Sequence, residues 1–186
     1  MATISEPGAT LDDLAREPGK AELIDGKIVR FLPTGRKPNR VAGRVFRSLD
    51  EYAEHVGGGE AYTDNIGFAI PRLPSGRQSF SPDASYFTGP FPAHPLRFLD
   101  GPPTFAVEVR GEGDHDPSAE QALAAKRADY FAAGTLAVWD VDPVADFIHV
   151  YRHTDPSQAM TYGRGQFAEA EPAVPGWKAA VDWIFA

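Results

Sequence analysis

Two short segments, Ser81-Pro82-Asp83-Ala84-Ser85-Tyr86-Phe87 and Phe105-Ala106-Val107-Glu108-Val109-Arg110, decide the fold that this sequence predicts. Both are runs of strand-forming residues, and each carries one carboxylate, Asp83 or Glu108, where a core-facing side chain is expected. Such a carboxylate loses hydration, which is costly unless it is paired or binds a cation. If the strands are neighbours, the two carboxylates converge and favour a hard divalent cation such as Mg²⁺. For either acid alone, the alternative is a strand edge, a turn cap or a pair with an arginine.

The segments before these strands predict a hairpin and a long helix. Asp25-Gly26 separates two β-type runs, which is a strong hairpin signal. Residues 33–38 are expected to form a loop. From about residue 39 to residue 56, apolar side chains recur at spacings of three or four, which predicts an amphipathic helix. Gly57 follows this helix and is expected to end it.

The segments after these strands complete the prediction of an α/β fold. Ser118 is expected to cap a second helix, which closes at Gly134. Residues 135–141 form a nearly continuous apolar run, typical of a buried strand, and residues 147–151 are expected to return beside it. We therefore predict α/β architecture with a mixed central β-sheet flanked by helices.

Composition excludes several classes of protein. The chain has 186 residues, of which 42% are hydrophobic, and it contains no cysteine. A single domain spanning residues 1–186 is expected. Disulfide scaffolds, thiolate zinc sites and cysteine nucleophiles are excluded. Residues 1–6 lack the basic flank and apolar core of a signal peptide, and no run is long enough to span a membrane. A soluble cytoplasmic protein without a membrane partner is expected.

Basic residues are concentrated in one stretch of an otherwise acidic chain. The formal net charge of −8 argues against coating nucleic acid by bulk attraction. Residues 27–47, however, contain no acid, and much of their basic charge falls on or just before the first long helix. The members of this basic ridge are Arg36, Lys37, Arg40, Arg44 and Arg47. The ridge is predicted to contact a polyanion; the alternative is a solvated face whose arginines pair with acids elsewhere.

Lys126 adds a third chemical group to the two carboxylates. It lies on the second helix, which must pack over the sheet, and alanines around it allow close approach. Two acids, a divalent cation and a lysine are the parts that phosphodiester hydrolysis requires. The alternative for Lys126 alone is an exposed lysine on a helix.

Five motifs of this chain, in order, resemble the Uma-type restriction endonuclease family of the PD-(D/E)XK nuclease superfamily. The motifs are Glu22-Leu23-Ile24-Asp25-Gly26-Lys27-Ile28, Ser81-Pro82-Asp83, Ala106-Val107-Glu108-Val109-Arg110, Lys126-Arg127-Ala128-Asp129-Tyr130-Phe131-Ala132-Ala133-Gly134 and Val138-Trp139-Asp140-Val141-Asp142-Pro143. The resemblance covers about residues 10–152 and leaves a β-rich tail over residues 153–186. It implies a restriction-endonuclease-like sheet.

The resemblance also implies roles for individual residues. It makes Asp83 and Glu108 the metal-binding acids and Lys126 the catalytic lysine, with Mg²⁺ or Mn²⁺ as cofactor and DNA as substrate. Glu22 is implied to lie near the same site. In the superfamily pattern a lysine lies two residues after the second acid, but here that position is Arg110. Arginine stays protonated, so Arg110 is predicted either to hold phosphate or to pair with an acid.

Two classes of function therefore remain in competition. The first is a metal-dependent endonuclease that hydrolyses DNA phosphodiester bonds, with the basic ridge holding the backbone. The alternative is a catalytically inactive module of the same fold, since fold does not imply function. Such a module would bind nucleic acid or act as an accessory protein in defence or in a mobile element. A third, weaker reading is action on RNA. The resemblance favours a homodimer, because cutting both strands commonly uses two active sites.

Overall fold

The structure, a computed structural model, describes residues 8–186; residues 1–6, where no signal peptide is expected, lie outside this range. The helices are α1 (Leu11–Leu14), α2 (Arg36–Val56), α3 (Pro117–Ala133) and α4 (Val181–Phe185). The strands are β1 (Ala21–Ile24), β2 (Lys27–Arg30), β3 (Glu60–Thr63), β4 (Phe68–Ala69), β5 (Ser79–Phe80), β6 (Ala84–Phe87), β7 (Leu99–Asp100), β8 (Phe105–Val109), β9 (Ala137–Asp142), β10 (Phe147–Arg152), β11 (Asp155–Tyr162), β12 (Phe167–Glu169) and β13 (Lys178–Ala180).

A six-stranded mixed sheet forms the centre of the molecule, as the sequence predicts. Its strand order is β11-β10-β9-β8-β6-β3. Strands β8 and β9 are parallel, and the other neighbours in this sheet are antiparallel. Parallel neighbours need a crossover connection, and α3 supplies it between β8 and β9. The predicted α/β fold class is therefore confirmed.

The two faces of the sheet are covered by different helices. Phe105, Val107 and Val109 pack in one core cluster with apolar residues of α2. Ala106 packs in a second cluster with Tyr130 of α3. Successive side chains of a strand point to opposite faces. Glu108 therefore lies on the α3 face of the sheet, opposite to α2.

Helix α2 begins earlier than the sequence pattern predicts. Its first residue is Arg36, so residues 33–38 are not entirely loop. Pro38 lies in the first turn, where Asn39 N donates a backbone hydrogen bond to Gly35 O at 3.1 Å. Proline is tolerated in that turn because its missing N–H would have no helical partner there.

Helix α3 is capped by Asp116, which corrects the prediction that Ser118 is the cap. Asp116 Oδ1 accepts hydrogen bonds from the backbone N–H groups of Ser118 and Ala119, both at 2.8 Å. Pro117 occupies the first helical position, where its fixed φ is already suitable. Gly134 closes the helix with a φ of 112°, as predicted.

The C-terminal segment packs onto the α2 face of the sheet. β12 and β13 form an antiparallel pair, and Trp177 lies 5.0 Å from Trp139 between ring centroids. Residues 181–185 form helix α4 at the end of the tail that the sequence predicts to be β-rich. Buried Ile184 and Phe185 join the same core cluster as α2.

Within residues 8–186, no helix combines the length and the apolar composition needed to cross a membrane.

Candidate active site

The structure brings Asp83 and Glu108 together at one end of the β6–β8 pair. Ala84 is the partner of Val107 in this antiparallel pair, so Asp83 lies opposite Glu108. Asp83 N donates to Val107 O at 3.0 Å, and Val109 N donates to Asp83 Oδ2 at 2.7 Å. Directly opposed residues share a face of the sheet. The convergence that the sequence pattern predicted for the two carboxylates is therefore present.

Lys126 reaches this pair from the helix that covers the same face. Its Nζ lies 2.8 Å from Glu108 Oε1 and 3.0 Å from Glu22 Oε1. Its side chain is only 13% exposed. The crossover from β8 through α3 to β9 places Lys126 over the strand that carries Glu108.

Glu22 is the most buried acid of the group and comes from the β1–β2 hairpin. Its side chain is fully buried, and its Oε1 accepts a hydrogen bond from Ser81 N at 3.0 Å. Arg77 Nη1 donates to Glu22 Oε2, and Arg77 Nε donates to Asp129 Oδ2 at 2.8 Å. Buried charges need such partners. The structure thus places Glu22 beside the candidate site.

Lys20 is a member of the site for which the sequence reasoning assigned no role. Its Nζ lies 2.5 Å from Asp83 Oδ1 and 2.7 Å from Asp64 Oδ1. Both lysines also lie near the ring of Phe31, with Nζ-to-centroid distances of 5.9 Å for Lys20 and 5.4 Å for Lys126. No local sequence signal joins Lys20 to Asp64 and Asp83, because their contact depends on how the hairpin docks against β3 and β6.

Tyr130 also belongs to the site, although the sequence analysis gave it no role. Its hydroxyl donates to Glu108 Oε1 at 2.6 Å, and its ring stacks on Phe80 at a centroid distance of 4.0 Å. One signal could have identified it. Tyr130 follows Lys126 by one helical turn, and residues at that spacing lie on the same helix face.

The charges in the site shift the pKa values of its groups in different directions. Burial and the nearby Asp83 charge raise the pKa of Glu108, although Lys126 and Lys20 oppose them. Burial would also raise the pKa of Glu22, but Lys126 and Arg77 outweigh it and lower that pKa. Burial would lower the pKa of Lys126, but Glu108 and Glu22 outweigh it and raise that pKa. Lys126 is therefore an ammonium at neutral pH.

Arg110 is bound by acids on the adjacent strand and on α3. Its Nε and Nη2 donate to the two carboxylate oxygens of Asp140, each at 2.7 Å, and Nη2 also donates to Glu120 at 2.6 Å. Arg127 Nη1 donates to Asp140 as well, at 2.7 Å. Of the two roles predicted for Arg110, the geometry shows pairing with acids.

The helix that carries the basic ridge lies on the other side of the sheet from the acids, and its first turn reaches the same end of the sheet. Lys37 Nζ lies 3.0 Å from Asp146 Oδ1, in the turn that follows β9, whose C-terminal end lies beside that of β8. Arg44 Nη1 donates to Trp183 O at 2.9 Å and so helps hold α4. The remaining members are exposed: Arg36, Arg40 and Arg47. The first turn of the ridge therefore lies near the end of the sheet that carries the acids, and the ridge does not line the site itself.

The chemistry of the donor groups fits a hard divalent cation. Among residues 8–186, no group of three or more His, Asp or Glu side chains forms a ready-made metal site. Mg²⁺ is nevertheless commonly bound through one or two carboxylates, with water completing its shell. Asp83 and Glu108 supply such oxygens, which here face the ammonium groups of Lys20 and Lys126. The residues fit the cation if an ammonium moves aside.

Comparison with known proteins gives independent evidence on the family and the fold of this chain. A family model described as "Uma2: Putative restriction endonuclease" matches residues 9–182. The fold is similar to the crystal structure of a putative nuclease belonging to DUF820 from Anabaena variabilis, with a TM-score of 0.72 and 17% sequence identity. That match covers 95% of this chain and 97% of the other. No curated protein matches. Since the family model spans nearly the whole chain, this protein belongs to the Uma2 family, whose fold is restriction-endonuclease-like.

Proposed function

We propose that this protein is a divalent-metal-dependent endonuclease that hydrolyses DNA phosphodiester bonds. The observation that supports the proposal is the convergence of Asp83, Glu108 and Lys126, from a strand entry, a strand and a helix, on one partly open point. Glu22 joins them from the hairpin.

Asp83 and Glu108 are the residues that would hold the cation. When bound, a divalent cation offsets charge on the scissile phosphate and makes water easier to deprotonate. Lys126 would donate a hydrogen bond to a phosphate oxygen as negative charge develops there. Glu22 orients Lys126 through the 3.0 Å contact, and Tyr130 orients Glu108 through its hydroxyl.

The basic ridge, which lies on the α2 face of the sheet, would bind a part of the DNA backbone away from the scissile phosphate. Arg36, Arg40 and Arg47 are exposed, and Lys37 contacts Asp146 at the sheet end where the acids converge. Arginine is suited to phosphate because its fork donates two parallel hydrogen bonds. A homodimer, with one site for each DNA strand, remains a prediction that sedimentation analysis can test.

The first experiment compares the wild type with an Asp83→Asn, Glu108→Gln double variant. Mn²⁺ binding is measured by calorimetry, and cleavage is measured on supercoiled plasmid DNA. We expect the variant to lose Mn²⁺ binding and at least about 10³-fold in cleavage rate, since a single stabilising group is worth roughly 10²–10³. An Asp100→Asn, Glu54→Gln variant, which removes two exposed carboxylates elsewhere, should behave like the wild type. If the Asp83→Asn, Glu108→Gln variant cleaved DNA at the wild-type rate, the assignment of these two acids as metal ligands would be overturned.

An Arg40→Ala, Arg47→Ala variant in the same assays separates DNA binding from chemistry. We expect unchanged Mn²⁺ binding and weaker affinity for duplex DNA. The affinity should also depend less steeply on salt concentration, by the amount expected for the loss of about two phosphate contacts. The inactive accessory module gives a different result: DNA binding that depends on the ridge, with neither Mn²⁺ binding nor cleavage in the wild type. Duplex RNA, used as a parallel substrate, tests whether the protein acts on RNA.

A further inference from the structure

Lys20 makes contacts that the proposed chemistry leaves unused. It precedes β1, and its ammonium joins two acids from other parts of the sheet, Asp64 after β3 and Asp83 before β6. Its side chain is 17% exposed, against 40% for that of Asp64. Burial would lower the pKa of Lys20, but the charges of Asp83 and Glu108 outweigh it and raise that pKa. Lys20 therefore presents a permanent positive charge beside one of the candidate metal ligands.

The hydrogen bonds of Asp83 show which of its oxygens Lys20 occupies. Asp83 Oδ2 accepts the backbone N–H of Val109 at 2.7 Å, a bond that also ties the carboxylate to β8. Asp83 Oδ1 is the oxygen that contacts Lys20 Nζ, at 2.5 Å. A cation bound to Asp83 without disturbing the strand would use Oδ1. The ammonium of Lys20 thus lies at the oxygen that a divalent cation would need.

We propose that Lys20 is a built-in competitor for the divalent cation. Its ammonium holds Asp83 Oδ1 when no cation is bound and withdraws to Asp64 when one binds. This inference rests on the proposed function, because it assumes that Asp83 is a metal ligand. It adds a determinant of metal affinity that lies outside the set of catalytic residues, Asp83, Glu108 and Lys126.

Asp64 makes the exchange feasible. A buried ammonium that lost its only partner would be left uncompensated, which is strongly unfavourable. Lys20 keeps Asp64 at 2.7 Å, and the Phe31 ring lies 5.9 Å from its Nζ. The cation therefore has to break one of two ion pairs, and the ammonium needs only a small rotation of its flexible stem.

Calorimetric titration with Mn²⁺ tests the proposal on the full chain. We expect Lys20→Met to bind Mn²⁺ at least about tenfold more tightly than the wild type, because a close positive charge is removed. Lys27→Met is the matched control: it removes an exposed lysine from the neighbouring hairpin and should leave the affinity unchanged. Equal affinities of Lys20→Met and the wild type would overturn the competitor role and leave the metal site standing. No binding by either protein would overturn the proposed function itself.

Asp64→Asn, made alone and together with Lys20→Met, distinguishes a second anchor from a direct ligand. In the wild-type background it should weaken Mn²⁺ binding severalfold, since the displaced ammonium loses its partner. In the Lys20→Met background that effect should largely vanish, which a double-mutant cycle reports as coupling. A loss that persists undiminished would make Asp64 a ligand and overturn the withdrawal step. If Lys20→Met fails to fold, Lys20→Gln in a Mn²⁺-dependent thermal unfolding assay gives the same comparison, with a larger metal-induced rise in Tm expected than for the wild type.

Discussion

Two ionic clusters lie side by side on the α3 face of the sheet, and they are built differently. Glu108 and Asp140 are direct partners in the β8–β9 pair. Around Glu108 the cationic partner is a lysine, Lys126. Around Asp140 the partners are two arginines, Arg110 and Arg127, which use both carboxylate oxygens.

The difference separates a cluster that can rearrange from one that cannot. An arginine fork donates parallel hydrogen bonds in a fixed geometry, whereas a lysine ammonium is a point charge on a flexible stem. Arg127 also lies over the ring of Tyr151, with its guanidinium carbon 4.3 Å from the centroid. The arginine cluster therefore serves to anchor α3 on the sheet. Lys126, the neighbour of Arg127 on α3, is held over the site by that anchor.

The largest expected effect in this comparison comes from Asp140→Ala, which removes the centre of the arginine cluster. The buried guanidinium of Arg127 and the partly buried guanidinium of Arg110 would be left without their main partner, and breaking a buried pair in this way costs about 3–5 kcal/mol. For a chain of this size, Tm should fall by roughly 10 °C, measured by thermal unfolding. Asp100→Ala, an exposed acid, is the control. If both variants were equally stable, the arginine cluster would not be an anchor.

The pH dependence of stability should have opposite signs for Glu22 and Glu108, because their surroundings shift the two pKa values in opposite directions. The pKa of Glu22 is lowered from its ordinary 4.5, so its contribution is fully present above pH 4.5 and is lost as the pH falls through the folded value. The pKa of Glu108 is raised from 4.5, so its contribution is fully present below pH 4.5 and is lost as the pH rises through the folded value.

Urea unfolding of Glu22→Gln and Glu108→Gln against the wild type, from acidic to neutral pH, checks these signs. Relative to the wild type, Glu22→Gln should be most destabilised at neutral pH, and the difference should shrink in acid. Glu108→Gln should instead gain stability relative to the wild type as the pH rises above 4.5. Parallel curves for the two variants would contradict the different electrostatic settings of the two acids.

The smallest effect is expected from Arg110→Lys. This substitution places a lysine ammonium, the kind of cation found beside Glu108, in the arginine cluster. A lysine keeps one ion pair with Asp140 but loses the fork, at a cost of about 1–2 kcal/mol in unfolding free energy. It should not restore cleavage to a Lys126→Met variant, because Arg110 is directed at Asp140 and Glu120. Rescue of cleavage would show that the two clusters are interchangeable and that a lysine at position 110 can replace Lys126.

Local patterns were sufficient for most of the elements and for part of the site. Alternation, turn residues and helical spacing predicted the β1–β2 hairpin, both long helices and the buried strand β9. A carboxylate directly before or within an apolar strand was enough to single out Asp83 and Glu108. Lys126 received its role from the family motif, since a lysine on a helix has no distinctive local signal. The predictions of the first residue of α2 and of the cap of α3 were wrong. Neighbouring residues compete for these boundaries, and hydrogen-bond geometry decides between them.

The sequence by itself determined which segments become strands and helices, because those preferences arise from interactions between residues close together in the chain. Only the tertiary structure decided that Lys20 meets Asp64 and Asp83, that Tyr130 holds Glu108, and that Arg110 turns to Asp140. It also decided that the basic ridge lies on the opposite face from the acids. These contacts join residues from distant segments, so they depend on strand order and helix placement, which the whole core sets at once.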